Sequence, residues 1–296
     1  MGTARFGKVL TAMATPFAAD GSLDTEGAAS VARWLVDHGS DGLVLAGTTG
    51  EAPTLRDDEK VALWKAVRAA VDVPLLAGAG SNDTRHSVEL AGMAAATGVD
   101  GLLIVTPYYN RPPPAGIEAH FRAVADASEL PVVLYDVPSR TGRRIDTDAL
   151  IRLAREVPTI VGLKDAAGDP GTTARVIAEA GDDFDVYSGD DAITLALLGV
   201  GAVGVIGVAT HWAGDLFAEM IAAFDKGDLP TARQLNARLA PSYGVEVGPN
   251  WVQTTAAKAA LAELGVHDGP LRLPLPPVSD EARDAIRRVL VDLGHP

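Results

Sequence analysis

The sequence predicts an α/β fold: a (β/α)8 TIM barrel with a C-terminal helical appendage. Three observations carry that prediction. Eight short apolar runs are each followed by a helical pattern, at the cadence of roughly 20 to 30 residues that a barrel of about 250 residues requires. No G-x-G-x-x-G follows the first run, as a doubly wound dinucleotide-binding sheet would need, and Gly78-Ala79-Gly80 lacks the later glycine and reads as a turn. With 296 residues, 47% of them hydrophobic, the chain can bury a large core and carry further helices.

Taken in order, Lys8 to Ala14 is the first strand, ended by Thr15-Pro16, and the apolar spacing from Asp24 to Asp37 predicts a helix that stops at Gly39. Asp41 to Ala46 is the second strand and Gly47 to Gly50 its turn. Asp57 to Val71 follows as a helix whose acidic first turn suits the helix dipole. The remaining strands are Pro74 to Ala77, Gly101 to Val105, Pro131 to Tyr135, Ile160 to Lys164, Phe184 to Ser188 and Ala202 to Ile206. Helical patterns cover Thr84 to Thr97, Gly116 to Ser128, Thr147 to Arg155, Gly171 to Ala180, Ala192 to Leu198 and Ala213 to Lys226. Gly227-Asp228 marks a boundary between a barrel domain, residues 1–227, and a helical domain, residues 228–296. Within the latter, Thr231 to Ala240, Gln253 to Leu264 and Asp280 to Leu293 read as helices, with Gly265 as a stop and Ser279 as an N-cap. Lys258, set among alanines, reads as a surface lysine.

Composition removes several function classes. A net charge of −14 argues against nucleic-acid binding, which needs a basic face to neutralise phosphates. An anionic substrate would need its own local cations or N–H groups against that field. The chain has no cysteine, so disulfides, thiolate zinc sites and cysteine nucleophiles are all excluded. No apolar run approaches the roughly 20 residues of a membrane helix, and the N-terminus lacks a secretory h-region. No membrane association and a cytoplasmic location are the default expectations.

In a barrel of this kind the active site forms at the C-terminal ends of the strands. After the second strand, Gly47-Thr48-Thr49-Gly50-Glu51 offers two hydroxyls and several N–H groups, either a carboxylate cradle or an ordinary capped turn. After the fourth, Tyr108, Tyr109, Asn110 and Arg111 sit in a loop stiffened by Pro112, Pro113 and Pro114. The fifth strand ends in Tyr135, and Arg140 beyond it is a fork donor suited to a carboxylate. The seventh ends in Ser188-Gly189-Asp190-Asp191, and the eighth runs through Gly204 to Gly207. The six histidines are scattered, with no metal-ligand spacing among His, Asp and Glu. Carbonyl chemistry at a lysine, without a metal, is therefore the favoured reading.

The sixth strand, IVGLKDAAG from Ile160 to Gly168, supplies that lysine. Alternation places Ile160, Gly162 and Lys164 on one face and Val161, Leu163 and Asp165 on the other. A desolvated lysine tends toward the neutral amine, a nucleophile for carbonyls. The residues alone leave open a strand-end lysine that snorkels to water or pairs with Asp165. Tyr135, by parity with Val133, points inward as Lys164 does and could relay protons. Gly162 is expected to clear room for the lysine stem, so that Gly162→Val costs activity more than folding.

Five motifs occur together: GTTGE at 47–51, TPYYNRP at 106–112, YDVPSRTG at 135–142, GLKDAAG at 162–168 and YSGDD at 187–191. In that order and spacing the chain, from about Val9 to about Leu264, resembles the dihydrodipicolinate synthase / N-acetylneuraminate lyase family of pyruvate-dependent class I aldolase-like lyases. The resemblance implies that Lys164 attacks the keto carbon of pyruvate to form a Schiff base, so that the only cofactor is a covalent lysine imine and no metal is needed. It implies that Tyr135 shuttles protons and that Thr48 links it to Tyr109, which reaches in from a neighbouring subunit. It gives the N–H groups of Thr48 and Thr49 the pyruvate carboxylate, with the Ile206 carbonyl beside it, and it gives Arg140 the carboxylate of L-aspartate 4-semialdehyde. Gly189, in the YSGDD motif, is carried over as substrate-binding. Small-molecule partners, pyruvate and an aldehyde, and a homotetramer built from dimers follow from the same resemblance.

Thr48-Thr49 in place of Ser-Thr, and the presence of Arg140, favour the aspartate-semialdehyde branch over a pyruvate-dependent aldolase acting on a sugar acid or another aldehyde. A non-catalytic keto-acid binder is disfavoured by the intact lysine, tyrosine and threonine set. Asp136 stands where the family commonly has asparagine, and Tyr243 to Gln253 is the loosest match. At the family's lysine-feedback positions the chain has Ala52, Asp57, Lys60 and His86 in place of the usual serine, histidines and glutamate, although Asn82 and Tyr108 remain. Free lysine is therefore expected to inhibit weakly or not at all, and a steady-state inhibition constant in the micromolar range would overturn this.

Overall fold

The structure, a computed structural model, describes residues 2–295. Eight parallel strands close into a barrel in sequence order: β1 (Val9–Ala12), β2 (Gly42–Leu45), β3 (Leu75–Gly78), β4 (Gly101–Val105), β5 (Val132–Asp136), β6 (Ile160–Asp165), β7 (Asp185–Ser188) and β8 (Gly204–Gly207). The helices are α1 (Thr25–Asp37), α2 (Asp57–Arg68), α3 (Thr84–Ala95), α4 (Pro114–Ala125), α5 (Pro138–Thr141), α6 (Thr147–Glu156), α7 (Pro170–Ala180) and α8 (Thr194–Gly199). After β8 come α9 (Thr210–Asp225), α10 (Leu229–Glu246), α11 (Gln253–Glu263) and α12 (Asp280–Leu293). The predicted α/β barrel and its C-terminal helices are thus present. Parallel strands covered on both faces read as continuous apolar runs, which is why Leu43, Val44 and Leu45 are all fully buried.

Several helix starts are set by one short polar residue each. Asp24, Asp146, Asp169 and Ser279 accept from the backbone N–H of Gly27, Ala149, Thr172 and Ala282 respectively. Each satisfies a donor that the first helical turn leaves unpaired.

The chain divides into two compact units, one of Met1–Lys8 with Pro74–Ile206, the other of Val9–Val73 with Gly207–Pro296. In the first unit the buried Asp185, opening β7, accepts from the backbone N–H of Thr3, Ala4 and Arg5 at 2.6, 3.1 and 2.7 Å, fixing the segment that leads toward β1.

In the second unit the structure departs from the sequence reading at two places. The helix expected to end at Ala240 runs on to Glu246 through Pro241. The turn beyond the proline is held by packing: Ser242 is buried and its hydroxyl accepts from Trp212 Nε1 at 2.9 Å. The proline as helix breaker is thereby overridden. Lys258, expected at the surface, is 5% exposed. Every residue from Thr254 to Leu261 is buried, and a helix apolar on all sides belongs in a core.

Among the described residues no helix is long and apolar enough to cross a membrane.

Candidate active site

Lys164 lies at the C-terminal end of β6 and is 4% exposed. Its strand is in parallel register with β5 and β7, so that Tyr135, Lys164 and Tyr187 stand side by side. The register shifts between Val132 and Val133, which face Ile160 and Gly162, so Val161 is an extra residue on β6. Strict alternation therefore holds from Gly162 onward, and Ile160 is not part of the lysine's row. The Lys164 ammonium nitrogen sits 4.5 Å from the centroid of the Tyr135 ring. The side chain is thus withdrawn from water and does not snorkel to the surface.

The glycine that clears room for Lys164 is a different one from that expected. A Cβ on Gly162 would lie 2.6 Å from the Asp185 backbone oxygen, so Gly162 serves the close approach of β6 to β7. A Cβ on Gly189 would lie 2.9 Å from Lys164 Cγ and 3.0 Å from Cε. Gly189, just past β7, is held there by its N–H donating to the Asp165 carbonyl at 2.7 Å. The lysine stem thus runs over a glycine of the neighbouring strand's loop, and the expectation for Gly162 is corrected accordingly.

One residue on from that row come Asp136 and Asp165, also in register and both buried. Asp165 accepts from the Thr173 hydroxyl at 2.6 Å and from Ala167 N–H at 2.9 Å, which ties the end of β6 to α7. Asp136 accepts from Ile145 N–H at 3.2 Å, and its ion pair with Arg144 is long, at 3.8 Å. Burial, reinforced by the Asp165 carboxylate, pushes the Asp136 carboxyl up to about 7 against the opposing pull of the Ile145 N–H and Arg144. Sequence reading noted Asp136 only as an unusual residue; strand pairing alone reveals the second carboxylate opposite it.

Two loops carry the exposed candidates of this unit. Arg140 is exposed on the four-residue α5, and Ile206 is fully buried in β8. Tyr109 is 91% exposed with a left-handed φ of 69°. That conformation is uncommon for a non-glycine residue and marks a site where the surroundings fix the backbone. The two loops hold each other: Arg111 Nε donates to the Gly142 carbonyl at 3.1 Å and Arg143 Nε to the Arg111 carbonyl at 3.2 Å. Asn110 adds a bond to the Asn82 carbonyl at 2.8 Å.

In the second unit Thr48 and Thr49 occupy the turn after β2, Thr49 buried and Thr48 half-buried. The turn is bracketed by left-handed residues, Ala46 at φ 53° and Glu51 at φ 56°. The Thr15 hydroxyl donates to the Gly50 carbonyl at 2.6 Å, and Ala52 N–H to the Gly47 carbonyl at 3.2 Å. Glu51, which ends this turn, forms a buried ion pair with Lys258 at 2.6 Å that sequence reading missed. The all-buried alanine pattern around Lys258 was the signal that could have found it. Among the described residues no group of three or more His, Cys, Asp or Glu side chains is placed to hold a metal ion.

A family model described as the dihydrodipicolinate synthetase family matches residues 5–293. A 4-hydroxy-tetrahydrodipicolinate synthase of Acidothermus cellulolyticus is 50% identical over 98% of this chain and 92% of its own. The solved dihydrodipicolinate synthase of Bacillus anthracis superposes with a TM-score of 0.93 at 41% identity, covering 98% of this chain and 99% of that one. The enzyme of Cyanidioschyzon merolae, solved with lysine bound, gives a TM-score of 0.93 at 41% identity over 98% of each chain.

Two predictions follow from this geometry. Gly189→Ala displaces the lysine stem and should lower the turnover number by about tenfold or more with the fold intact; Gly162→Val meets a backbone oxygen that cannot rotate away, and should instead cost stability by about 1–3 kcal/mol. Turnover and urea midpoints measured on both variants separate the two roles, and a fully active, stable Gly162→Val would refute this assignment. For Asp136, the unfolded chain, with a carboxyl near 3.8, holds fewer protons than the native one up to about pH 7. Native stability therefore falls as pH rises through that window and levels off above it. Asp136→Asn should be more stable than wild type at pH 8 by a margin that shrinks toward pH 5, as read by urea midpoints at each pH.

Proposed function

The chain belongs to the dihydrodipicolinate synthetase family, and from that premise we propose that it condenses pyruvate with L-aspartate 4-semialdehyde to 4-hydroxy-tetrahydrodipicolinate, in the diaminopimelate route to lysine. The observation that carries the reading is Lys164, buried at the end of β6 beside Tyr135. Relatives that bear the name of this activity, at about half identity over nearly the whole chain, support it.

In the proposed reaction the Lys164 amine adds to the keto carbon of pyruvate and water leaves, giving an imine. Removal from water favours the neutral amine that this step needs. Tyr135 carries the proton between the attacking nitrogen and the departing oxygen. The iminium is the electron sink: loss of a methyl proton gives the enamine, whose carbon attacks the aldehyde of the second substrate. The amine of that substrate then displaces Lys164, closing the ring and freeing the enzyme. No metal or separate cofactor enters these steps. N–H groups of Thr48 and Thr49 take the pyruvate carboxylate, Ile206 and Gly189 line the keto-acid position, and Arg140 takes the carboxylate of the semialdehyde through its fork of donors.

We read Tyr109 as reaching a neighbouring subunit, which makes the dimer the smallest active unit and a homotetramer of two dimers the assembly. Its exposure on a fixed left-handed backbone supports that reading. Residues 1–227 are read as the catalytic barrel and residues 228–296 as its appendage, and the location as cytoplasmic.

Treatment with pyruvate and borohydride should add the mass of a reduced pyruvyl adduct at Lys164 and nowhere else, and Lys164→Ala should abolish both labelling and turnover. An unlabelled Lys164 would sink the proposal, and a panel of aldehydes with pyruvate, scored by turnover, checks the second substrate.

A further inference from the structure

A cluster of buried charges in the second unit converges on the turn that carries Thr48 and Thr49. Glu51 closes the turn in the left-handed conformation, and its carboxylate is buried. One oxygen lies 2.6 Å from Lys258 Nζ, and the other accepts from the backbone N–H of Arg272 at 2.9 Å. Lys258 also donates to the Pro270 carbonyl at 2.7 Å and sits 4.1 Å from the centroid of the buried Phe17 ring. The Arg272 guanidinium lies at the same distance from that ring and is clamped by Glu59 through bonds of 2.9 and 2.6 Å.

Thr254 stands four residues before Lys258 on α11, and therefore on the same helix face. Its hydroxyl donates to the Thr48 carbonyl at 3.4 Å. The Thr48 carbonyl also receives Glu51 N–H at 3.2 Å. The peptide group between Thr48 and Thr49 is thus held by α11 twice, directly through Thr254 and indirectly through Lys258 and Glu51. A left-handed non-glycine residue persists only where its surroundings over-determine it, and here that surrounding is a pair of opposite charges withdrawn from water. Apolar side chains of similar size would fill the space as well, but they would not fix a carboxylate, and with it the backbone of Glu51, at one point.

We propose that Glu51 and Lys258 are positioning residues: their ion pair, seated on Phe17 and locked by Arg272, holds the Thr48–Thr49 turn in the shape that binds the keto-acid carboxylate. Neither touches the substrate. The inference rests on the reading of Thr48 and Thr49 as the carboxylate donors.

The test compares borohydride trapping of pyruvate with that of methyl pyruvate, which keeps the ketone and lacks the carboxylate charge, in full-length wild type, Lys258→Met and Glu51→Gln. Lys258→Met should raise the pyruvate concentration for half-maximal trapping about tenfold or more, with the saturated rate within about threefold and methyl pyruvate within about twofold of wild type, the pattern of lost uniform binding. Glu51→Gln keeps the shape and loses the charge, so it should shift in the same direction by less; it carries the comparison alone if Lys258→Met does not fold. An unchanged pyruvate half-saturation in a folded variant overturns the proposal, as does an equal shift for both ketones, which would mark a merely structural pair. Wild type that is trapped but shows no preference for pyruvate over its ester would overturn the carboxylate reading itself, and the inference with it.

Discussion

The parallel register running from β4 to β7 is the constraint from which the rest of the first unit follows. Val105, Tyr135, Lys164 and Tyr187 are successive partners across these strands. Because side chains alternate, fixing that row also fixes the next one, and Asp136, Asp165 and Ser188 must then turn to the opposite side. A slip of one residue would exchange the lysine row for the aspartate row. The lysine and tyrosines of one row and the buried carboxylates of the other are two consequences of one hydrogen-bond pattern. The extra residue at Val161 marks where the pattern begins, since alternation before it does not carry through.

Buried charge is used in different ways in the two units. Asp165 is satisfied by Thr173 and Ala167 and joins β6 to α7, whereas Asp136 receives one N–H and a distant guanidinium, and its proton is retained to near neutrality. Glu51 and Lys258 are matched to each other, and burial lowers the lysine's affinity for its proton while Glu51 opposes that. Exposed pairs such as Arg175 with Asp148 are worth about 0–1 kcal/mol, whereas removing one partner of a buried pair costs about 3–5 kcal/mol. The few buried pairs therefore matter more than the many surface ones. The buried pair of Glu51 with Lys258 lies where a backbone must be held still, at the turn after β2.

Much of this molecule could be read from its residues in order. Strand and helix succession, the turn residues, the N-cap at Ser279 and the candidates Lys164, Tyr135 and Arg140 depend on local propensity and on side-chain alternation, which a sequence carries directly. Five short motifs in order and spacing added the resemblance to a family. Helix ends were less legible where packing overrides a breaker, as with Pro241, whose following turn is kept by the bond between Ser242 and Trp212.

Only the tertiary structure decided which groups meet across long stretches of chain. That Gly189, and not Gly162, makes way for the lysine depends on the distance between two strands, and no pattern along either strand encodes it. That Asp136 and Asp165 share one buried layer depends on register. Lys258 is the sharpest case. By itself it is a charged side chain on a helix, with every local reason to face water, but the alanines around it bury that helix on all sides and Glu51, more than 200 residues earlier, supplies the charge that makes burial tolerable. Sequence determines propensity and alternation because both are short-range; the pairing of charges and the clearance between strands are settled by where the closed barrel and its C-terminal helices bring distant residues together.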